Sequence, residues 1–170
     1  MEDPAHPDPR LPRQGLWSLV RQIREAMLAT CDAQGRLHAQ PVTTLNRAEH
    51  EDASLWFFLR RDGDAARSIA VDPRVAVTYA DPGNEHFVSI GGRARIVERM
   101  SLVDALWTPA SRRWFPAGPR DPALALLEVR IEHAAYWDVV TRAAWWHRAR
   151  AAARGEAAMP MARQRGVDFR

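Results

Sequence analysis

The basic residues limit the chemistry open to this chain. All 24 of them are arginine, and lysine does not occur. A chain without lysine has no Schiff-base catalyst and no lysine-dependent phosphate loop. Arginine is nevertheless well suited to phosphate, because its planar guanidinium makes two parallel hydrogen bonds to an oxyanion. Three arginines, Arg60, Arg61 and Arg67, flank one predicted turn and are candidates for such a contact.

Histidine and cysteine offer little for metal binding or nucleophilic catalysis. No two of the six histidines stand at i, i+4 spacing, and there is no HExxH motif. The single cysteine, Cys31, excludes an internal disulfide and every multi-cysteine metal site. Since no base stands near it in the sequence, we expect a buried, inert thiol. We therefore expect no metal site.

Seven tryptophans in 170 residues form the most unusual feature of the composition. Large flat side chains build protein cores and subunit interfaces, and they also form walls for planar ligands. The count alone favours core and interface over a ligand site. The sequence around each tryptophan is needed to distinguish these roles.

The elements that would position these residues are mainly short strands. Residues 27–31 and 36–45 flank a turn that ends in Gly35, which is typical of a β-hairpin. The run SLWFFL at 54–59 is too apolar for an outer edge strand, so we expect it to be central. Further strands are predicted at 74–80, 85–90, 93–98 and 124–137, with a bulge or bend at Gly91 and Gly92.

Helices are the minority element. The pattern predicts an amphipathic helix from Gly15, a short helix at 64–71, one from Ser101 to about Trp107, and a helical piece at 109–114. A last, alanine-rich helix is expected over 142–154. We divide the chain into a disordered arm at 1–14, one domain at 15–138, and a C-terminal helix with a basic tail at 139–170.

Charge and hydropathy indicate the surroundings of the protein. The longest apolar runs have five residues, 55–59 and 123–127, whereas a membrane span needs about 20. The N-terminal residues are acidic and proline-rich, unlike a signal peptide, so we expect a cytoplasmic protein without membrane contact. The tail at 138–170 holds seven arginines against three acids. It lacks dense basic clusters, so nucleic-acid binding, which would be salt-dependent, is the less favoured interpretation.

Several strings together carry a resemblance to a known family. They are GRLHAQPV, LWFFL, DPRVAVTYADP, FVSIGGRARIV, LWTP and RRWFPAGPRDPALALLEVRIEHAAYWD, which span about Leu16 to Asp138. This order resembles the bacterial general stress proteins of the pyridoxamine 5'-phosphate oxidase-like, FMN-binding split-barrel superfamily. The resemblance implies a mainly β fold, a six-stranded split β-barrel with peripheral helices. It also implies a homodimer with flavin sites at the dimer interface.

The resemblance also implies which residues would hold FMN. The ring would be lined by strand residues, and a partner-subunit tryptophan would close its face. These residues are Gln40, Pro41, Val42, Phe57, Phe58 and Leu59 around the ring, and Trp107 or Trp114 from the partner. The residues themselves offer Arg60, Arg61 and Arg67 as partial replacements for the phosphate ligands of the family.

This sequence departs from the family pattern at the phosphate. Gln40 stands where an arginine commonly precedes the proline, and Gly63 and Ala65 stand near the usual Ser-x-Lys positions. We expect a flavin-binding split-barrel protein whose redox chemistry, if any, belongs to the flavin. The alternative is a cofactor-free stress-response or binding module that has lost the phosphate site. No residue qualifies as a general acid or base.

Overall fold

The computed structural model describes residues 10–50, 53–138 and 163–169. Seven strands and three α-helices make up most of this part of the chain. They are α1 (Arg10–Ile23), β1 (Glu25–Cys31), β2 (Leu37–Thr43), β3 (Ser54–Arg60), α2 (Asp64–Val71), β4 (Arg74–Asp81), β5 (His86–Val97), α3 (Met100–Leu106), β6 (Leu124–Asp138) and β7 (Arg163–Asp168). Short 3₁₀ helices occur at Ala48–His50, Pro109–Arg113 and Gly118–Arg120.

The strands form one antiparallel sheet in the order β2-β1-β4-β5-β6-β3, and β7 pairs with β6. Strand β6 is 15 residues long and carries β5 along one edge. Its other edge carries β3 beside residues 124–130 and then β7 beside residues 133–138. The sheet curls without closing, so the expectation of a mainly β, six-stranded split β-barrel with peripheral helices is confirmed, and β7 is an addition.

The barrel interior holds the main core, because inward side chains alternate with outward ones along each strand. Helix α1 covers one end of this core, and its Leu16 and Val20 are fully buried. A second cluster lies on the other face of β3. There α3 contributes Val103 and Leu106, and the segment that follows contributes Phe115. Both faces of β3 are therefore covered.

Most predicted elements are present. The β1–β2 hairpin forms, α2 spans 64–71 as predicted, and the ladder between β5 and β6 shifts register between Gly91 and Gly92, where a bulge was expected. Helix α1 begins at Arg10 rather than at Gly15. The predicted helix at 142–154 and most of the N-terminal arm lie outside the described residues. None of the described helices is long and apolar enough to cross a membrane.

Two expectations about strands were wrong. Strand β3 lies at the end of the strand order, although its sequence predicted a central position. The physical reason is that an apolar pattern reflects how the two faces of a strand are covered, and the second cluster covers the outer face of β3 without adding a strand at its edge. Strand β7 was not predicted, because RQRGVD contains a single apolar residue, Val167, which is buried in the main core.

Candidate functional site at the split between β2 and β3

The barrel is held together at one end of the split. The segment after β2 meets β3 through a bridge between Thr44 and Phe57, and the Leu45 N–H donates to the Trp56 carbonyl at 2.9 Å. Asn46 extends this junction with its side chain. Its Nδ2 donates to the Ser54 carbonyl and its Oδ1 accepts from the Trp56 N–H, both at 2.8 Å.

No ladder in the described part of the chain joins β2 to β3 past the Thr44–Phe57 bridge. Continuing the antiparallel register of that bridge sets Val42 against Leu59 and Gln40 against Arg61. Edges without a partner strand present backbone N–H donors and C=O acceptors. The split is therefore lined by backbone groups that a planar polar ligand could bind.

The side chains predicted to surround a flavin ring occupy different environments. Val42, Phe57 and Leu59 are buried in the main core, at 6%, 0% and 4% exposure. Their side chains fix the strand positions and leave only backbone to face the split. Gln40 is half-buried on the same face of β2 as Val42, and Pro41 is exposed on the opposite face. Pro41 lies on an edge strand, where its missing N–H costs no ladder bond.

Phe58 and Trp107 lie on the outer side of β3. The Phe58 ring centroid is 5.8 Å from that of Trp107 and 6.4 Å from that of Phe115. Trp107 thus packs within its own chain. Trp114 is 70% exposed, and the Arg113 guanidinium lies 5.5 Å from its ring centroid. Of the two tryptophans, Trp114 is the one free to meet a partner.

The three candidate phosphate ligands all lie at the turn between β3 and α2, and each is bonded to a carboxylate. Arg60 Nη2 donates to Asp62 at 2.8 Å, and Arg61 Nη1 donates to Glu98 at 2.6 Å. Arg61 also donates from Nη2 to the Leu124 carbonyl at 3.1 Å. These contacts hold the guanidiniums of Arg60 and Arg61 in place.

Arg67 is held by the turn itself. Its Nη1 donates to the Asp62 carbonyl and its Nη2 donates to the Asp64 carboxylate. Asp64 is the first residue of α2, where its negative charge lies at the positive end of the helix dipole. Each of the three candidate arginines therefore has at least one guanidinium nitrogen bonded to a carboxylate of this chain.

The pKa shifts at the turn agree with this pairing. The side-chain hydrogen bond from Arg60 lowers the pKa of Asp62, and that from Arg61 lowers the pKa of Glu98. Both carboxyls are thus charged at neutral pH and offset the arginines. A phosphate dianion needs a surplus of positive charge or unoccupied donors. The turn therefore offers the phosphate of FMN no surplus of positive charge, because each of its three arginines is paired with a carboxylate.

Sequence reasoning missed two contributors to this region. Asn46 follows β2 as an ordinary loop residue, and nothing in the sequence shows that its amide pairs with β3. Glu98 is 37 residues from Arg61 in the chain, so their contact depends on the sheet topology. The sequence shows that Asp62 and Asp64 lie beside the arginines. Only the structure shows that they bond to Arg60 and Arg67.

Comparison with known proteins agrees with this architecture. A family model described as pyridoxamine 5'-phosphate oxidase like matches residues 12–158. General stress protein 26 of Bacillus subtilis is 25% identical over 123 residues, which are 71% of this chain and 84% of that protein. The chain is thus similar to a general stress protein over most of its length.

Comparison with solved structures also agrees with this architecture. A general stress FMN/FAD binding protein from Xanthomonas citri is 28% identical with a TM-score of 0.67, covering 78% of this chain and 92% of that one. General stress protein 26 from Bacillus anthracis is 20% identical with a TM-score of 0.65, covering 73% of this chain and 92% of that one, and shows likeness of fold. With its split sheet and a family match over most of its length, this chain belongs to the pyridoxamine 5'-phosphate oxidase-like family.

Proposed function

We propose that this protein binds a flavin, with the isoalloxazine ring lying along the split between β2 and β3. The observation that carries the proposal is the absence, among the described residues, of a ladder between β2 and β3 beyond the Thr44–Phe57 bridge. The similarity to a general stress FMN/FAD binding protein supports the same ligand class. No side chain in the described split offers a general acid or base, so placement is the contribution of the chain.

Backbone groups along the open edges of β2 and β3 would bind the polar edge of the ring. The Arg61 N–H is not one of them, because it donates to the Ala123 carbonyl at 2.8 Å. A flavin ring has N–H donors and carbonyl acceptors along one side, which match an open strand edge. The half-buried amide of Gln40 can add one donor and one acceptor there. When bound, a flavin supplies electron or hydride transfer, and the protein supplies orientation.

We also propose that the protein is a homodimer and that the second copy covers the split. Trp114 is 70% exposed, and the β1–β2 hairpin leaves Met27 and Leu37 exposed at 42% and 79%. Aromatic and apolar surface of this kind is typical of subunit interfaces. The partner subunit's Trp114 would then stack on the ring.

The test is a fluorescence titration of the purified protein with riboflavin. Wild-type protein should quench the flavin, and Gln40→Glu should bind about tenfold more weakly, because the amide donor is replaced by a negative charge. Gln34→Glu is the matched control. It makes the same change at the β1–β2 turn, where Gln34 is exposed, and should bind as wild type does.

Two results would argue against the proposal. Equal affinity of wild type and Gln40→Glu would move the ring away from β2. No binding of any flavin would favour the second candidate, a cofactor-free binding module, which the pairing of each arginine at the β3–α2 turn with a carboxylate also supports.

A further inference from the structure

The β3–α2 turn, residues 60–64, lies at the mouth of the split. Arg60 ends β3, and Arg61 would face Gln40 across the opening. A ring held between the strand edges would extend its ribityl chain out of the split. The β3–α2 turn is one of the first charged surfaces that the end of the ribityl chain would meet. Its charge therefore bears on which flavins fit.

The charges at this turn cancel. The guanidiniums of Arg60, Arg61 and Arg67 are matched one to one by the carboxylates of Asp62, Glu98 and Asp64. The negative charge of Asp121 also acts on Arg60. Three positive charges thus face four negative ones. With no surplus of positive charge at the turn, the electrostatic gain of a phosphate dianion over an uncharged tail would be small here.

Replacement of a carboxylate by the phosphate, as the partner of one of these arginines, would not create a surplus of positive charge at the turn. Exposed ion pairs are weak, so a phosphate could displace a carboxylate from Arg60 or Arg67 at small cost. The displaced carboxylates stay within the same short turn, because Asp62 and Asp64 are part of it. Each of them would then lie beside the phosphate without its own counter-charge. Arg67 would also have to give up its bond to the Asp62 carbonyl.

We infer that this protein recognises its flavin through the isoalloxazine ring and that the negative charges of Asp62, Asp64 and Glu98 prevent the phosphate of FMN from adding affinity. The inference rests on the proposed function. Its ligand class is a flavin whose tail carries no terminal phosphate ester, such as riboflavin. Asp62 and Asp64 are the specificity-determining residues, and Glu98 fixes Arg61 away from the ligand.

The test compares riboflavin with FMN on the same protein. Wild type should bind the two within about threefold of each other, whereas the Asp62→Asn/Asp64→Asn double variant should bind FMN at least about tenfold more tightly than riboflavin. The control is Asp72→Asn, which removes one carboxylate at the other end of α2, where it pairs with Arg74. It should leave the ratio at the wild-type value.

Added salt gives a second readout. The FMN preference of the double variant should shrink as ionic strength rises, since exposed charges are screened, while riboflavin affinity should not change. A tenfold FMN preference in wild type would overturn the inference and leave the proposed function standing. A double variant without FMN preference would overturn it too. Failure of wild type to bind either flavin would remove both proposals.

Discussion

The Tyr79 hydroxyl lies 2.7 Å from the Thr44 hydroxyl in the core, next to the point where the split closes. Both residues are 2% exposed. Burial raises the pKa of Tyr79 well above its usual value, and the hydrogen bond to Thr44 offsets only part of this effect. The folded protein therefore keeps this phenol neutral where the unfolded chain releases its proton.

This shift predicts a loss of stability at high pH. Above about pH 10 only the unfolded state ionises Tyr79, so the free energy of unfolding should fall by up to about 1.4 kcal/mol for each further pH unit. In Tyr79→Phe this contribution to the slope should disappear. Urea unfolding between pH 9 and 11 measures it. Parallel curves for the two proteins would show that Tyr79 does not titrate in this way.

At the scale of single residues, the sequence predicted which residues lie near the β3–α2 turn better than it predicted their contacts. Arg60, Arg61 and Arg67 were expected at one turn, and they lie there. Their carboxylate partners could not all be predicted, because the bond between Arg61 and Glu98 joins the end of β3 to the end of β5. Whether the predicted residues contact a flavin remains a prediction.

At the scale of elements, the bulge between β5 and β6 depends on two glycines in different ways. A Cβ at Gly92 would lie 2.2 Å from the Arg130 carbonyl oxygen, which is backbone. A Cβ at Gly91 would lie 2.2 Å from the His133 ring, an exposed side chain that can rotate away. The two positions should therefore differ in their tolerance of alanine.

We predict that Gly92→Ala destabilises the protein by about 1–3 kcal/mol, because the strand backbone must shift to admit the methyl group. Gly91→Ala should cost clearly less. Thermal or urea unfolding of both variants measures the difference. Equal losses would mean that the β5–β6 bulge can move as readily as the His133 ring, which is contrary to the geometry.

Element prediction succeeded where a local pattern was strong. Helix α2 was bounded by Gly63 and by the Asp72–Pro73 stop, and both signals act within the chain segment itself. The order of strands has no such local signal. Strand β3 reads as central because both its faces are apolar, and only the packing of α3 and Phe115 shows what covers the second face.

For the whole molecule, the number of strands and their turns favoured an all-β barrel or sandwich with added helices, and the family resemblance implied the barrel. The split was expected from the family resemblance, since no pattern of residues shows where a sheet fails to close. The structure shows which contacts determine where the sheet is joined and where it is open. Asn46 and the Thr44–Phe57 bridge join β2 to β3 at one end, and the register beyond them is left open.

The proposed dimer is a property of the whole molecule. We predict that light scattering at micromolar concentration gives twice the chain mass of 19.2 kDa. Trp114→Arg should weaken association, because it replaces an exposed aromatic ring by a charge in the proposed interface. A wild-type mass of one chain would contradict the dimer. It would also remove the partner's Trp114 from the flavin site.

The measurement that tests the central claim most directly is hydrogen–deuterium exchange with and without riboflavin. If the ring lies in the split, backbone amides on the open edges become hydrogen-bonded. Exchange should then slow in peptides covering 39–43 and 58–62, and the ladder between β4 and β5 should change little. Protection confined to other elements, or none at all under saturating riboflavin, would contradict the account.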